Sequence, residues 1–205
     1  MMKLLITGGK GMLGRTLQNE FKDCEIVIAD LPEADITDAA GFDRFLAANK
    51  PDAVIHCAAM TAVDKCESEI EFAYKLNAFG TANVAAACNR HGVRLIAIST
   101  DYVFDGDSDR PYNEFDRATG GNTIYGKSKF AGEEAVRTHC PNHVICRISW
   151  LYGHGGASSC RGENSSGAAR DAGIRRSCTG KRPAFFRRDG ISPARTRPRW
   201  PRPRR

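Results

Sequence analysis

Tyr125 and Lys129 stand four residues apart in the stretch TIYGKSKFAGEE, residues 123–134. On a helix, this spacing places both side chains on one face. A phenol ordinarily has a pKa near 10, and we expect a neighbouring ammonium to lower that pKa by stabilising the phenolate. Such a tyrosine can act as a general acid toward a carbonyl oxygen while hydride reaches the carbonyl carbon. Two residues on a helix surface that have no joint function can also have this spacing by chance. The interpretation therefore depends on the elements around the pair.

Three glycines, Gly8, Gly11 and Gly14, follow the short apolar run KLLIT and precede the helical pattern RTLQNEF. Such glycines permit a tight turn, a close approach of the backbone to a pyrophosphate, and close packing of the helix on the strand. The N terminus of the helix then presents unpaired N–H groups to the phosphates. The pattern predicts a dinucleotide-binding loop, and a plain strand-to-helix connection is the alternative.

Asp30 ends the second apolar run, EIVIAD. A carboxylate at this position can accept hydrogen bonds from the ribose hydroxyls of adenosine, which favours NADH, whereas the 2′-phosphate of NADPH requires a basic residue nearby. No basic residue occurs between Ile26 and Ala40. We therefore expect a modest preference for NADH, and a solvated aspartate in a turn is the alternative.

Thr100 ends the apolar run that precedes DYVFDG. In a doubly wound sheet, ligands bind beyond the carboxyl ends of the strands. A hydroxyl there can hydrogen-bond a substrate carbonyl. The alternative is a threonine that only starts a turn.

Short apolar runs alternate with helical patterns from residue 1 to residue 156, which predicts an α/β fold with a doubly wound parallel sheet, covered on both faces and Rossmann-like. Ser68 and Glu71 have the spacing of a capping box. They predict the start of a long helix that Gly92 ends. The five predicted strands are KLLIT, EIVIAD, AVIHCAA, VRLIAIS and HVICRIS.

The charge is divided unevenly along the 205 residues, whose net charge is +6. Residues 1–156 contain 16 Lys and Arg against 21 Asp and Glu, whereas residues 157–205 contain 14 against three. The last 49 residues include 13 arginines and five prolines but only two residues of the Ile, Leu, Val and Met group. They cannot bury enough apolar surface to offset an ordering cost of about 1–2 kcal/mol per residue. We expect one domain over 1–156 and a disordered basic tail over 157–205.

The origin of this tail has two explanations. An abrupt composition of Arg, Gly, Ala, Ser and Pro is what a GC-rich gene produces when it is read out of frame, and this is our hypothesis. The alternative is a genuine basic arm that binds RNA or a membrane surface.

The eight cysteines form no Cys-x-x-Cys pair and mostly lie within apolar runs, which predicts free thiols in a reducing compartment. The stretch HCPNHVIC, residues 139–146, is a poor metal site because Pro141 breaks the helix that would align its ligands. No apolar stretch approaches the roughly 20 residues that span a bilayer. We therefore expect a cytoplasmic protein without a resident metal, a membrane or a nucleic acid among its partners.

Seven stretches together carry a resemblance over residues 3–156. The chain resembles the extended short-chain dehydrogenase/reductase family, and within it is similar to the dTDP-4-dehydrorhamnose reductases. The combination of AAMTAVDKCESE with STDYVFDG is the most specific of the matches. The stretches are ITGGKGMLG, DITD, KPDAVIHCAAMTAVDKCESE, LNAFGTANVAAAC, STDYVFDG, YGKSKFAGE and RISWLYG.

The resemblance implies NADPH- or NADH-dependent reduction of a nucleotide sugar, dTDP-4-dehydro-L-rhamnose, to dTDP-L-rhamnose. It implies a homodimer in an intact version of the chain, with Mg²⁺ in some members. The implied catalytic residues are Thr100, Tyr125 and Lys129, and the implied sugar-nucleotide contacts are Thr100, Asp101 and Trp150. The implied cofactor contacts are Gly11, Met12, Leu13, Asp30, Asp35, Ile36, Ala59, Met60 and Thr61.

Two departures from the family pattern bear on these expectations. Gly121 stands where the family often has proline, which is expected to loosen that loop. Nothing after WLYGHGG resembles the family, so we expect impaired activity in this chain. Alternatives remain open: another nucleotide-sugar epimerase or reductase, and a non-catalytic subunit similar to the regulatory subunit of methionine adenosyltransferase. A 4,6-dehydratase is disfavoured because Thr100 is followed by Asp101 and Tyr102 and not by the Asp-Glu pair of that class.

Overall fold

The computed structural model describes residues 1–151, so the predictions for the basic tail lie outside the described residues. Five strands alternate with six α-helices, and a π-helical turn (Lys75–Gly80) joins the fourth helix to the fifth. The strands are β1 (Lys3–Thr7), β2 (Glu25–Ala29), β3 (Ala53–His56), β4 (Arg94–Thr100) and β5 (His143–Ile148). The helices are α1 (Met12–Glu20), α2 (Ala39–Asn49), α3 (Val63–Ser68), α4 (Ile70–Tyr74), α5 (Thr81–Arg90) and α6 (Ile124–His139).

All five strands pair in parallel, in the order β2-β1-β3-β4-β5. The register aligns Leu5 with Val54 and Val54 with Leu95, so that buried aliphatic side chains form a continuous row across the sheet. The apolar runs in the sequence correspond to these strands. The predicted α/β fold with a parallel sheet is confirmed.

Helices pack on both faces of the sheet. On one face, Leu5, Val54 and Leu95 belong to a core cluster with side chains of α2, α5 and α6. On the other face, Leu4, Ile6 and Ile55 pack against Leu17 of α1 and the partly buried isoleucines of β2 and β4. The helix contributions to the first cluster include Phe42, Leu46, Val84, Ala85 and Val136. A fully buried Leu or Phe stabilises the fold by roughly 1.5–3 kcal/mol relative to an exposed one.

Within residues 1–151, β5 forms one edge of the sheet and pairs only with β4. Val144 of β5 is an apolar residue with 45% of its surface exposed. The expectation that HVICRIS is an edge strand of this part of the chain is confirmed. Its predicted tendency to aggregate stays a prediction.

The predicted capping box is wrong. Ser68 is the last residue of α3, and its hydroxyl donates to the carbonyl of Lys65 at 3.0 Å. Glu69 precedes α4 and no side chain caps that helix. The expected long helix instead begins at Ile70, after Glu69, and runs through α4, the π-helical turn and α5 to Arg90. Its end was predicted correctly: Gly92 follows α5 with φ +68° and donates its N–H to Asn89.

The six cysteines within residues 1–151 are free thiols. Burial raises the pKa of Cys57 and of Cys88 to about 12, so both stay protonated at neutral pH. In the same residues, no helix combines the length and the apolar character needed to cross a membrane.

Gly121 has a left-handed backbone with φ +62°, which proline cannot adopt. A Cβ atom at this position would lie within 3.0 Å of the carbonyl oxygen of Tyr102. A Cβ atom at Gly126, in the first turn of α6, would lie equally close to the same oxygen. The expectation that glycine loosens this loop is therefore wrong, because both glycines are needed for the Tyr102 carbonyl to pack against the start of α6.

Gly121→Ala is expected to lower the free energy of unfolding by about 2–5 kcal/mol, the combined cost of the left-handed conformation and of the clash. Urea-induced unfolding measures this loss. Gly92→Ala is the matched control: its φ is also positive, but nothing lies within 4 Å of the added Cβ, so a loss of only about 1–2 kcal/mol is expected. Equal losses in the two variants would contradict the role given to the Tyr102 contact.

Candidate functional site

The carboxyl ends of β1, β3 and β4 meet at one edge of the sheet, because parallel neighbours end on the same side. The glycine loop follows β1, residues 57–62 follow β3, and Thr100 ends β4. The fold therefore brings most of the predicted cofactor and catalytic residues to this edge. The candidate site is defined as these three segments together with the first turns of α6.

The glycine loop is shaped so that the backbone approaches its neighbours closely. Gly8 has φ +68°, and a Cβ there would lie 2.7 Å from the amide nitrogen of Ala58. A Cβ on Gly14 would overlap the carbonyl oxygen of Gly8. Gly11 precedes Met12 at the start of α1, and no side chain caps the helix there. An uncapped, glycine-lined helix N terminus suits a pyrophosphate, so this loop fits a dinucleotide.

Asp30 lies directly after β2, and its Oδ2 accepts a hydrogen bond from the main-chain nitrogen of Lys10 at 2.7 Å. The carboxylate is therefore held beside the glycine loop, and its predicted contact with the adenosine ribose stays a prediction. Asp35 accepts hydrogen bonds from the main chain and the hydroxyl of Thr37, both at 2.8 Å. The Ile36 side chain is buried in the core, so only its main chain is available for the predicted contact with a cofactor.

The segment after β3 contains the predicted cofactor residues Ala59, Met60 and Thr61. Both main-chain groups of Met60 bond to Asn77: the Met60 N–H donates to Asn77 Oδ1 at 2.8 Å, and its carbonyl accepts from Asn77 Nδ2 at 3.1 Å. The same amide nitrogen donates to the hydroxyl of Ser128 in α6 at 3.0 Å. One buried side chain therefore ties the loop after β3 to the helix that carries Tyr125 and Lys129.

The π-helical turn gives Asn77 this position, and π-turns inside helices are frequent at functional sites. Gly132 of α6 packs so closely on this turn that a Cβ would overlap the carbonyl oxygen of Asn77. That oxygen accepts a hydrogen bond from the hydroxyl of Thr81 at 2.8 Å. Asn77 was not among the residues predicted from the sequence. The available signal was a lone amide inside the otherwise apolar helical pattern LNAFG.

His56 extends the buried hydrogen bonds to the start of the glycine loop. Its Nε2 lies 2.9 Å from the Thr81 hydroxyl, and its Nδ1 lies 2.7 Å from the Thr7 hydroxyl. Because Thr81 donates its only hydroxyl proton to Asn77, Nε2 must be the protonated ring nitrogen. Burial, with the Lys129 charge second, lowers the pKa of His56 to about 3, so the ring is neutral.

Thr100 and Tyr125 are brought together, as the sequence predicted. The Thr100 hydroxyl donates to Asp101 Oδ1 at 3.1 Å and accepts from the main chain of Tyr102 at 3.2 Å. The Tyr102 ring contacts the Tyr125 ring edge to face, with centroids 5.5 Å apart. Thr123 caps α6 by accepting from the Gly126 N–H, and thereby fixes the turn in which Tyr125 lies.

The pKa of Tyr125 is raised, so the expectation that Lys129 lowers it is wrong. Burial is the largest cause, because it disfavours the phenolate. A hydrogen bond with Thr100 acts in the opposite direction, and the charge of Asp101 raises the pKa further. The Tyr125 ring packs beside Met60 and Cys66, which explains its partial burial.

The Lys129 ammonium donates to the main-chain carbonyl of Ile98 in β4 at 2.8 Å. It is buried, and burial lowers its pKa to about 8 in spite of the opposing charge of Glu133. Lys129 is therefore cationic at neutral pH, inside the protein, between α6 and the sheet. A buried lysine near its pKa is typical of a functional site.

Glu133, one turn after Lys129, balances part of this positive charge. Its carboxylate accepts from Ser99 at 2.6 Å and from Arg147 at 2.7 and 2.9 Å. Burial alone would raise the pKa of Glu133, but hydrogen bonds from Arg147, Ser99 and Arg137 outweigh it and lower the pKa. The guanidinium of Arg147 lies 4.9 Å from the ring centre of Phe104 in the loop after β4.

Trp150, predicted to contact the sugar nucleotide, is exposed and has an uncommon left-handed backbone with φ +52°. The preceding Ser149 donates to Asp101 Oδ2 at 2.6 Å. This bond holds the turn after β5 beside the end of β4. Both predicted sugar-nucleotide residues therefore lie at the same edge of the sheet as Thr100.

Residues 1–151 contain no cluster of three or more His, Cys, Asp or Glu side chains that could hold a metal ion. The expectation of Mg²⁺ therefore has no support from this part of the chain.

Replacing Lys129 with methionine is expected to stabilise the fold at pH 7 by on the order of 1–3 kcal/mol, because it removes the cost of burying a charge. The folded pKa of about 8 lies below the unfolded value near 10.4. The unfolded state therefore binds more protons between these values, and the stability contributed at this site rises with pH from about 8 to 10.4. The difference between the variant and the parent should shrink over that range in urea unfolding.

Lys127→Met, on the exposed side of the same helix, is the control and should change stability by less than about 0.5 kcal/mol. A Lys129→Met variant that is less stable than the parent, with a difference independent of pH, would contradict the assignment of a strained, buried ammonium.

Comparison with known proteins agrees with this geometry. A family model described as "RmlD substrate binding domain" matches residues 2–164, which extends eight residues beyond the predicted boundary at 156. A dTDP-4-dehydrorhamnose reductase of Streptomyces griseus is 43% identical over 155 residues, which are 74% of this chain and 51% of that protein. The spore coat polysaccharide biosynthesis protein SpsK of Bacillus subtilis is 39% identical over 160 residues, 77% of this chain and 56% of that protein.

Two solved structures are similar over the same region. A dTDP-4-dehydrorhamnose reductase of Clostridium acetobutylicum has a TM-score of 0.73 and 45% identity, covering 76% of this chain and 56% of that one. A reductase of the same name from Bacillus anthracis, in complex with NADP, has a TM-score of 0.71 and 41% identity, covering 74% and 55%. The chain spans about half the length of the curated relatives it matches. It belongs to the RmlD substrate binding domain family.

Proposed function

We propose that residues 1–151 are the cofactor-binding and proton-donating part of an NAD(P)H-dependent oxidoreductase that reduces dTDP-4-dehydro-L-rhamnose to dTDP-L-rhamnose, a step in nucleotide-sugar and cell-surface polysaccharide biosynthesis. The observation that carries the proposal is the position of Tyr125. Its hydroxyl lies beside Thr100 at the carboxyl end of β4, on the helix that also carries the buried Lys129. The names of the relatives support the choice of substrate.

The glycine loop and the neighbouring segments fit a dinucleotide. Gly8, Gly11 and Gly14 allow the pyrophosphate to lie against the backbone, and the N–H groups of Met12 and Leu13 at the start of α1 face it. Asp30, held beside the glycine loop, would bind the adenosine ribose, and the Ala59–Thr61 segment after β3 would border the nicotinamide. When bound, the nicotinamide supplies the hydride that reduces the carbonyl carbon. The NADP bound to the relative from Bacillus anthracis supports this choice of cofactor class.

Tyr125 acts as the general acid. Because its pKa is raised above the ordinary value near 10, the phenol is protonated at neutral pH and ready to donate. The oxygen of the reduced carbonyl becomes an alkoxide, which is more basic than a phenolate, so proton transfer is favourable even from a partly buried tyrosine with a raised pKa. Thr100, whose hydroxyl donates to Asp101 in this structure, would turn that proton to the reacting oxygen as a second hydrogen bond.

Lys129, on the same helix as Tyr125, supplies positive charge as the phenolate forms. The buried ammonium is held by Ile98, and at a pKa of about 8 it remains mostly charged at pH 7. Asp101 and Trp150 would contact the sugar nucleotide, which is supported by the Ser149 hydrogen bond that holds the turn after β5 beside Asp101. Dimerisation of an intact version remains a prediction.

The test uses a chimera that joins residues 1–151 to the remaining half of the Streptomyces griseus reductase, assayed by NADPH or NADH oxidation with dTDP-4-dehydro-L-rhamnose. Tyr125→Phe keeps the ring and removes the proton donor. We expect kcat to fall by about 10²–10⁴-fold, the usual contribution of a general acid, with cofactor affinity changed less than about threefold.

Tyr74→Phe in α4 is the matched control and should retain the parental rate. Parental turnover by Tyr125→Phe would refute the assigned role. A parental chimera that binds the cofactor but never turns over would instead favour the non-catalytic alternative.

A further inference from the structure

Lys10 occupies an unusual place within the glycine loop, between Gly9 and Gly11. Its main-chain nitrogen donates to Asp30 Oδ2 at 2.7 Å, and its ammonium donates to the carbonyl of Leu31 at 2.6 Å. Lys10 thus reaches from the β1–α1 loop to the loop that follows β2. The cation lies where that loop would face the adenosine ribose.

The loop after β2 is otherwise acidic. Residues 27–39 contain four acidic side chains and no Lys or Arg, so on their own they would repel a 2′-phosphate. Lys10, from the loop between β1 and α1, brings a positive charge to these acidic residues. Its contact with Glu33 is long, at 3.9 Å, and both side chains are more than half exposed, so this ion pair is weak and leaves the ammonium available.

We propose that Lys10 is the specificity-determining residue through which this chain binds the 2′-phosphate of NADPH, and that Asp30 acts against it, so that the chain accepts both nicotinamide cofactors. The proposal rests on the proposed function, since it names which form of the cofactor the same site takes. It replaces the sequence-based preference for NADH, which considered only residues near Asp30 along the chain.

The physical reason is that the Lys10 ammonium and the Asp30 carboxylate would lie beside the same ribose and act oppositely on a 2′-phosphate. A lysine ammonium is a compact point charge that binds phosphate through charge-assisted hydrogen bonds. Asp30 lies beside the Lys10 main chain and offers a carboxylate to a ribose hydroxyl, but it repels a phosphate dianion. Removing the ammonium should therefore affect only ligands with a 2′-phosphate, and removing the carboxylate charge should have the opposite effect.

The experiment measures dissociation constants by titration calorimetry on the 205-residue chain, with two matched pairs of probes. NADPH and NADH form one pair, and 2′,5′-ADP and 5′-AMP, which lack the nicotinamide, form the other. Lys10→Met should weaken NADPH and 2′,5′-ADP by about tenfold or more, the size expected for a hydrogen bond to a charged group. NADH and 5′-AMP should change by less than about threefold.

Two further variants sharpen the result. Lys10→Arg keeps the positive charge and should retain most of the parent's affinity for NADPH, unlike Lys10→Met. Asp30→Asn should strengthen NADPH binding while weakening NADH binding. Lys22→Met, an exposed lysine just after α1, is the control and should change none of the four constants. The NADPH advantage should also decline as the salt concentration rises, because the pair is exposed.

The possible outcomes separate the two proposals. An equal loss for all four probes in Lys10→Met, or no loss for any, would overturn the specificity role while leaving cofactor binding intact. Failure of the parent chain to bind any of the four would overturn the proposed function, and the role of Lys10 with it. Selective loss of the 2′-phosphate ligands supports the proposal.

Discussion

The buried amide of Asn77 is the interaction on which the arrangement of the site depends. A polar group buried without a partner costs about 1–3 kcal/mol, so the Asn77 side chain, the Met60 main chain and the Ser128 hydroxyl must stay together. The Asn77 carbonyl continues the chain of bonds to Thr81. Through His56 this chain reaches the end of β1, from which the glycine loop starts. Among residues 1–151, every buried side-chain nitrogen and oxygen has a hydrogen-bond partner.

The site also contains a group that opposes stability. Lys129 is buried as a cation, whereas the partly buried Tyr125 is protonated at neutral pH and has no such cost. The cost therefore falls on a residue that the proposed reduction needs, and the core around Phe42 and Leu46 contains no such conflict. Strain confined to the reacting groups and compensated elsewhere is the usual relation between function and stability. Glu133, held by Arg147 and Ser99, reduces the cost at Lys129 without neutralising it.

Much of the fold and part of the site could be predicted from the sequence. The strands followed from apolar runs, and the glycine loop, Thr100, Tyr125 and Lys129 followed from their positions next to those runs. The predictions failed where distant segments meet. The capping box at Ser68 was overridden by a break at Glu69, and Asn77 gains its role from a π-helical turn and from Gly132 of another helix.

Electrostatic properties were the least predictable from spacing. The four-residue separation of Tyr125 and Lys129 gives a shared helix face, but the pKa of each is set mainly by burial, which depends on the whole tertiary structure. The charge beside Asp30 was missed for a similar reason. Lys10 is 20 residues away along the chain and is brought there by the glycine loop.

Preassembly of the site by Asn77 is tested most directly by hydrogen exchange at the Met60 amide, which belongs to no helix or strand. If Asn77 holds this amide, it should exchange at least about a thousandfold more slowly than an unstructured peptide, since exchange then requires an opening that costs several kcal/mol. Asn77→Ala should abolish the protection at Met60, while the Leu95 amide in β4 stays protected. Exchange of Met60 in the parent chain at the rate of an unstructured peptide would contradict the account.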